Sequence, residues 1–431
     1  MGTLISILGI FVLLLIAFLF STNRKAINFR TVFGALAIQI IFGAFILYVP
    51  IGRDILKEIA DVVQSVINYA NEGIGFLFGA LGPTKVVTDI ATSSSSHYVP
   101  GKMGFIFAIN VLSIIIFFSA LISVLYYLGI MQWVIKIIGG ALQKALGTSQ
   151  AESMSAAANI FVGQTEAPLI VKPYLNKMTE SELFAVMCGG LASIAGSVLA
   201  GYAGMGIPLT YLIAASFMAA PAGLLFAKII VPQTEQFSDG KEGTDDTEEP
   251  SNVLDAAAAG ASAGMQLALN VGAMLIAFIA LIALINGILG SVGGWFNVPD
   301  LSLGLIFGYV FRPLAWVIGV PWHDAGIAGQ MIGTKLAINE FVAYYDFQSY
   351  LLPDAAVQLS DKTKAIITFA LCGFANFSSV AILIGGLGGL APSRRGDISR
   401  LGLRAVLAGS LANLMSATIA GIFIGLSGAV L

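Results

Sequence analysis

The stretch "GQTEAPL", residues 163–169, lies between long apolar segments and decides how the rest of the chain is interpreted. It places an amide, a hydroxyl and a carboxylate in direct succession: Gln164, Thr165 and Glu166. A carboxylate that faces lipid at the bilayer centre costs at least about 2.5 kcal/mol, so these side chains must face a wet or ligand-filled cavity. Gly163 and Pro168 favour a chain that turns back, because glycine tolerates unusual dihedral angles and proline frees a backbone carbonyl. The stretch therefore predicts the tip of a re-entrant hairpin.

The composition indicates a polytopic membrane protein. Of the 431 residues, 57% are hydrophobic and 10% are charged, and the mean hydropathy is +0.90, far outside the usage of soluble domains. The formal net charge of −3 provides no basic face for a nucleic-acid partner. The two cysteines, Cys188 and Cys372, lie in apolar segments, which argues against a secreted disulfide framework.

The apolar segments predict eight transmembrane helices, because a helix needs about 20 apolar residues to cross the hydrocarbon core. These segments are 3–20, 31–50, 104–128, 181–205, 208–231, 266–290, 365–391 and 403–430. Basic residues then collect on one side: Arg24, Lys25, Arg30, Lys136, Lys144, Lys172, Lys177, Arg394, Arg395, Arg400 and Arg404. Positive residues favour the cytoplasmic side, so we expect both chain termini outside.

Two connecting stretches do not have the pattern of a transmembrane helix. The segment "DILKEIADVVQSVINYA", residues 54–70, has one apolar helical face and is expected to lie along the membrane interface. That face consists of Ile55, Ile59, Val62, Val63, Val66 and Ala70. Residues 233–252 carry a run of acidic side chains without apolar periodicity, which is typical of a solvated cytoplasmic linker.

The chain contains a weak internal repeat. "MTESELFAVMCGGLASIAGSVL" from Met178 aligns with "KTKAIITFALCGFANFSSVAIL" from Lys362 at a constant offset, which pairs Thr179 with Thr363. A polar-tipped apolar segment precedes each copy, ending in "GQTE" and in "NEF" at 339–341. Only the span at 266–290 separates the two units, so the second unit must be inverted relative to the first.

This arrangement predicts five parts. Residues 1–130 would hold scaffold spans and the interfacial helix, and 131–232 the first transport repeat. The linker 233–252 and a scaffold span in 253–300 would follow. Residues 301–431 would form the second transport repeat, with its own hairpin, broken helix and span.

Polar residues inside the repeats mark candidate sites. "SIAGS" at 193–197 and "NFSS" at 376–379 interrupt otherwise apolar helices. Unwound helices expose backbone carbonyls and half-helix ends, which suit a sodium ion and a polar substrate. Glu340 at the second tip is the counterpart of Glu166.

Plainer interpretations of these residues remain. A membrane-embedded serine commonly donates to a carbonyl of its own helix one turn back. The two glutamates would be structural ion pairs if Lys172 or Lys335 lay beside them. Phe374 is a packing residue by type. No nucleophile stands beside a base in the sequence, so an enzyme is not expected.

The motifs "GQTEAPL", "INEFVAY", "CGFANFSS" and "NIFVGQTE" resemble those of the concentrative nucleoside transporter family, and similarity to its bacterial sodium-coupled members extends over nearly the whole chain. The resemblance implies a homotrimer in the bacterial cytoplasmic membrane. Each protomer would combine a scaffold with a mobile body made of two hairpins and two broken helices.

The resemblance also implies roles for particular residues. Gln164, Thr165 and Glu166 would contact the nucleobase, with Val198 nearby. Glu340, Asn376 and Ser379 would bind the ribose hydroxyls, and Phe374 and Leu267 would line the apolar side. Sodium would be held by the carbonyls of Asn159, Val162, Ser193 and Ile194 and by the Ser193 hydroxyl.

The residues themselves support this division. Vicinal hydroxyls are donors that suit a carboxylate, whereas a base edge has mixed donors and acceptors that suit an amide and a hydroxyl. The expected function is sodium-coupled import of nucleosides such as uridine. Proton coupling, another small polar substrate and a channel or scaffold role are the alternatives.

Overall fold

The computed structural model describes residues 2–87, 96–99, 105–237 and 250–427. As the sequence predicts, the fold is helical. The strands among these residues are β1 (Thr84–Val87) and β2 (Ser96–Val99), which pair antiparallel. Most of the acidic linker, residues 238–249, lies outside the described residues.

Within the described residues, the eight predicted spans coincide with helices, and the spans at 181–205 and 365–391 are interrupted. Residue 104 and residues 428–430 of the predicted spans lie outside the described residues. The number of helices that cross a membrane stays a prediction. Six helices in the described ranges are long and apolar enough to span: Phe29–Leu47, Phe107–Tyr127, Glu180–Gly204, Leu209–Ile230, Val253–Trp295 and Pro392–Ser427. Three apolar helices are shorter: Thr3–Leu19, Leu303–Val317 and Ser378–Leu390.

The first helices precede the repeats. They are α1 (Gly2–Leu19), α2 (Phe29–Leu47), α3 (Pro50–Phe78), α4 (Phe107–Asn110) and α5 (Leu112–Tyr127). Asn28 caps α2 by accepting from the backbone amides of Arg30 and Thr31. The apolar face predicted for α3 is divided, since Ile55 is exposed whereas Ala70 is buried.

The first repeat contains seven helices: α6 (Ile130–Leu146), α7 (Gln150–Ala158), α8 (Ala167–Ile170), α9 (Lys172–Leu175), α10 (Glu180–Ala192), α11 (Gly196–Gly204) and α12 (Leu209–Ile230). Ser149 with Glu152 and Thr179 with Glu182 form capping boxes, which start α7 and α10. Hairpin 1 consists of α7, the irregular tip 159–166, α8 and α9. The α10–α11 helix is interrupted at 193–195.

The span predicted at 266–290 belongs to one helix, α13 (Val253–Trp295). The second repeat follows as α14 (Leu303–Val317), α15 (Ala325–Ala337), α16 (Glu340–Gln348), α17 (Asp361–Leu371), α18 (Ser378–Leu390) and α19 (Arg395–Ser427). Hairpin 2 consists of α15 and α16. Its neighbour α17 begins after Ser360, which caps it, so Thr363 is not the counterpart of the capping Thr179.

The contacts of α19 show that the repeats are inverted. Near its beginning, Arg400 binds Glu180 at the start of α10. Near its end, Gly421 and Gly425 lie against the side chain of Lys362 at the start of α17. A helix of 33 residues places its two ends far apart, at about 1.5 Å per residue. The broken helices therefore start from opposite ends of the molecule, as the single intervening span predicts.

The hairpin tips and helix breaks meet in the interior. The Gly196 amide donates to the carbonyl of Phe161 in hairpin 1 at 2.8 Å. The Phe377 amide donates to the carbonyl of Leu336 in hairpin 2 at 3.1 Å. The two breaks are joined in turn, because the Phe374 amide donates to the Ser193 carbonyl. Irregular backbone is thus hydrogen-bonded within protein and shielded from lipid.

Candidate functional site

A cavity of about 730 Å³ lies between the two hairpin tips, the two helix breaks and α13. Its volume falls in the range of small-molecule sites, about 300–1,000 Å³. It is lined by all nine residues that the sequence predicts for the substrate site: Gln164, Thr165, Glu166, Val198, Leu267, Glu340, Phe374, Asn376 and Ser379. The fold therefore brings together residues from positions as far apart as 164 and 379.

Glu340 begins α16 and is only 3% exposed. One carboxylate oxygen accepts from the Tyr202 hydroxyl at 3.0 Å. The other accepts from the Asn376 amide nitrogen at 3.1 Å. Tyr202 lies in α11 and Asn376 in the break before α18, so tertiary contacts fix the direction of the carboxylate. An ionised carboxylate has about four acceptor positions, which leaves capacity for ligand hydroxyls.

Asn376 organises the break before α18. Its side-chain oxygen accepts from the Ser379 amide and from the hydroxyl of Ser378. The Ser379 hydroxyl lies within bonding distance of the Phe374 carbonyl and of the Asn376 side-chain oxygen. The three polar side chains at this wall of the cavity are therefore oriented before a ligand arrives.

The first tip presents its polar groups differently. Gln164 is buried, and its side-chain oxygen has no hydrogen-bond partner among the described residues. Thr165 and Glu166 are exposed, and Glu166 accepts from the Gly163 amide at 3.3 Å. Unpartnered acceptors beside a cavity suit a ligand that supplies N–H donors.

The structure corrects the reason given for Gly163. Its φ is not in the left-handed region. A Cβ there would lie 3.3 Å from the Ala195 Cβ, tighter than ordinary van der Waals contact. Gly163 therefore allows hairpin 1 to pack closely against the first helix break.

The glutamates form no direct ion pair among the described residues, although Lys335 interacts electrostatically with Glu340. Neither Glu166 nor Glu340 forms a salt bridge with another described residue. Lys335 instead donates to the Ala370 carbonyl and to Asn413.

The four residues predicted to hold sodium lie at the tip of hairpin 1 and the neighbouring break, outside the lining of the cavity. All four are buried: Asn159, Val162, Ser193 and Ile194. The side-chain oxygen of Asn159 has no hydrogen-bond partner in the described part of the chain, while its nitrogen donates to the Ser155 carbonyl at 2.8 Å. A buried oxygen without a donor suits a cation.

The Ser193 hydroxyl makes the hydrogen bond within its own helix that is common for a membrane-embedded serine, and it can still contact a cation. Its hydroxyl donates to the Gly189 carbonyl one turn back at 2.9 Å. Donation uses the hydroxyl hydrogen and leaves the oxygen lone pairs free to face a positive ion. The donor set consists of oxygens at an unwound helix, which fits a hard monovalent cation such as sodium.

Two polar residues of the cavity were missed by the sequence interpretation. Gln266 and Asn270 line it from α13, where the Gln266 side chain donates to Asn270 at 3.1 Å. Two polar residues four apart in an apolar span lie on the same face of a helix, and this pattern could have identified them from the sequence. Asn339 also lines the cavity and caps α16 by accepting from the Val342 amide.

Comparison with known proteins agrees with this geometry. The family model described as "Na+ dependent nucleoside transporter N-terminus" matches residues 8–81. "Nucleoside recognition" matches 108–209, and "Na+ dependent nucleoside transporter C-terminus" matches 211–421.

Individual relatives match over the whole chain. An uncharacterized transporter of Haemophilus influenzae is 69% identical over 433 residues, covering 100% of both chains. The nucleoside permease NupC of Helicobacter pylori is 59% identical over 426 residues, covering 99% of each.

The solved transporter CNTnw, in an inward-facing substrate-bound state, is 62% identical and matches with a TM-score of 0.92 over 100% of both chains. A substituted form of CNTnw in an outward-facing state matches with a TM-score of 0.91. The chain therefore belongs to the concentrative nucleoside transporter family and is a multi-pass nucleoside transporter, not an enzyme.

Proposed function

We propose that this protein is a sodium-coupled symporter that imports nucleosides such as uridine by alternating access. The observation that carries the proposal is the cavity between two hairpin tips and two helix breaks. Near it lies the buried side-chain oxygen of Asn159, which has no hydrogen-bond partner among the described residues. A polar ligand and a cation then occupy neighbouring places in one set of interrupted helices, which couples their binding.

The ribose is assigned to the wall formed by Glu340, Asn376 and Ser379. Two vicinal hydroxyls donate well to a carboxylate, and Glu340 is already held in place by Tyr202 and Asn376. Hydrogen bonds to a charged acceptor contribute about 1.5–3 kcal/mol.

The nucleobase is assigned to the first tip. The side-chain oxygen of Gln164, without a partner in the described part of the chain, suits a base N–H, and Thr165 and Glu166 lie beside it at the cavity. Val198, Leu267 and Phe374 provide the apolar surface that a ring face requires.

Sodium is assigned to the carbonyls of Asn159, Val162, Ser193 and Ile194 and to the Ser193 hydroxyl. The family models are named for Na+ dependence, which supports the choice of ion. The bound cation would neutralise oxygens at the end of α10 and so stabilise hairpin 1 against the break.

The moving body would comprise residues 131–232 and 301–431, with 1–130 and 253–300 as the scaffold. Arg394 of the second repeat donates to the carbonyl of Met178, the residue after Lys177 of the first repeat, so these basic residues lie at one end of the molecule. This end is assigned to the cytoplasm, with both termini outside, in the bacterial cytoplasmic membrane. We further propose a homotrimer.

Uptake of labelled uridine into proteoliposomes tests the proposal. We expect saturable uptake driven by an inward sodium gradient and abolished when sodium is replaced by choline. Uptake driven equally by a proton gradient without sodium would assign proton coupling instead. Uptake that never saturates would indicate a channel.

A further inference from the structure

Lys335 is a buried basic residue to which the proposed transport cycle assigns no role. It lies in the last turn of α15 and is 4% exposed. Its Nζ donates to the Ala370 carbonyl at 2.8 Å and to the Asn413 side-chain oxygen at 2.6 Å. A buried ammonium is costly unless its surroundings compensate it, so this placement needs a reason.

Asn413 extends the contact to both broken helices. Its side-chain nitrogen donates to the Ala192 carbonyl at 2.6 Å and to the Cys372 carbonyl at 2.8 Å. Ala192 ends α10, and Cys372 follows the end of α17. The carboxyl ends of helices carry partial negative charge, so Lys335 and Asn413 together satisfy the ends of both half-helices.

The position of Lys335 corresponds to that of the proposed sodium site. In the first repeat, the candidate cation oxygens lie between the end of α7 and the end of α10. In the second repeat, Lys335 lies between the end of α15 and the end of α17. In hairpin 1 the Asn159 oxygen has no donor among the described residues, whereas Asn413 receives one from Lys335.

We propose that the Lys335 ammonium is a built-in cation that holds hairpin 2 on the second helix break, in the role that sodium has for hairpin 1. The proposal rests on the assignment of sodium to hairpin 1. Because Lys335 is covalently part of α15, its amine is present at every step of the transport cycle. Hairpin 2 therefore stays seated whether or not sodium is bound, and hairpin 1 is the hairpin that responds to sodium.

Hydrogen exchange of the purified transporter tests this, followed by mass spectrometry with saturating sodium and with choline in its place. We expect sodium to slow amide exchange about tenfold or more in the tip of hairpin 1, residues 155–166. Exchange in hairpin 2, residues 330–345, is expected to change by less than about twofold. Equal protection of both hairpins by sodium would overturn the proposal for Lys335.

The variant Lys335→Met removes the charge and keeps a side chain of similar length. We expect exchange in residues 330–345 to accelerate at least tenfold at saturating sodium, while residues 155–166 keep their sodium response. Lys136→Met, which removes an exposed lysine from α6, is the matched control and is expected to change neither hairpin.

The two arms separate the possible failures. Absence of a sodium response in hairpin 1 of the parent protein would count against the sodium assignment. Unchanged exchange of hairpin 2 in Lys335→Met would overturn the role of Lys335. If that variant does not fold, the parent protein still provides a test, because equal protection of both hairpins by sodium would overturn the proposal.

Discussion

Glu340 shows how single residues acquire a role from distant partners. The sequence identifies it as a costly carboxylate in an apolar setting, and the structure adds Tyr202 and Asn376 as its donors. These donors hold one orientation of the carboxylate and leave acceptor positions toward the cavity. The residue is preorganised, so little ordering has to accompany ligand binding.

Replacing Glu340 with Gln should weaken uridine binding about tenfold to a hundredfold, because a charge-assisted bond contributes about 1.5–3 kcal/mol. The loss should be much smaller for 2′,3′-dideoxyuridine, which lacks the hydroxyls. Tyr202→Phe, which removes one donor to the carboxylate, serves as a milder comparison. Binding constants at fixed sodium are the measurement, and equal losses for both ligands would make Glu340 a structural residue.

Ser193→Ala should raise the sodium concentration for half-maximal uridine binding about tenfold, because a cation oxygen is lost. Uridine affinity at saturating sodium should change little. The matched control is Ser216→Ala in α12, since the Ser216 hydroxyl also bonds a carbonyl one turn back, at 3.0 Å. Titration of binding against sodium is the measurement, and the same response in both variants would refute the assignment.

At the scale of elements, each hairpin is tied to the beginning of its broken helix. In the first repeat, Lys228 of α12 pairs with Glu152 of α7 and donates to Ser181 of α10 at 2.9 Å. In the second, Asp324 before α15 accepts from the Thr363 hydroxyl of α17 at 2.6 Å. The inverted repeats therefore share a design in which a buried carboxylate anchors the hairpin.

Breaking the buried ion pair between Lys228 and Glu152 should strongly destabilise the protein. Lys228 and Glu152 are buried, and removing one partner of a buried pair costs about 3–5 kcal/mol because the other charge is left uncompensated. Lys228→Met should lower the thermal unfolding temperature in detergent clearly, and adding Glu152→Gln should recover part of the loss. Arg400→Met, at an exposed pair, should cost at most about 1 kcal/mol.

At the scale of the whole molecule, ionic contacts connect the two repeats. The two terminal guanidinium nitrogens of Arg400 donate to the Glu180 carboxylate at 3.2 and 2.8 Å, and Arg400 also donates to Asp397. Arg394 reaches the Met178 carbonyl at the end of hairpin 1. These contacts, together with the shared helix breaks, support joint movement of the repeats against α13.

Crosslinks should distinguish contacts within the moving body from contacts across its boundary. In a background without Cys188 and Cys372, a disulfide between Glu180→Cys and Arg400→Cys should leave uridine uptake unchanged, because both positions move together. A short crosslink between Phe341→Cys and Met274→Cys, which face the same cavity from α16 and α13, should abolish it. Uptake before and after crosslinking is compared, and normal transport across the second link would contradict the moving-body proposal.

The single chain exposes apolar side chains on α3, which a second copy of the chain could cover. In α3, the helix predicted to lie along the membrane interface, four apolar side chains are exposed: Ile51, Ile55, Ile59 and Val62. We expect the detergent-purified protein to contain three copies of the 45.0 kDa chain. Light scattering corrected for bound detergent measures this, and a protein mass of one chain at working concentration would exclude the trimer.

The sequence by itself determined the membrane class, the helical segments, the inverted repeat and the residues of the polar tips. It could do so because apolar runs of membrane length and polar residues inside them are local signals with a large free-energy cost. Glu166 and Glu340 are recognisable in this way without any knowledge of their neighbours.

Only the tertiary structure decided which groups meet. Tyr202 and Asn376 donate to Glu340, although both are distant from it along the chain. Asn413 likewise bonds the end of a helix far from it in sequence. Gln266 and Asn270 line the cavity from α13, far along the chain from the two hairpin tips. The packing role of Gly163 depends on its approach to Ala195 in the first helix break, and the capping by Ser360 depends on where α17 begins. Hydropathy patterns report where a segment lies in the bilayer, but partners are selected by how the inverted repeats pack.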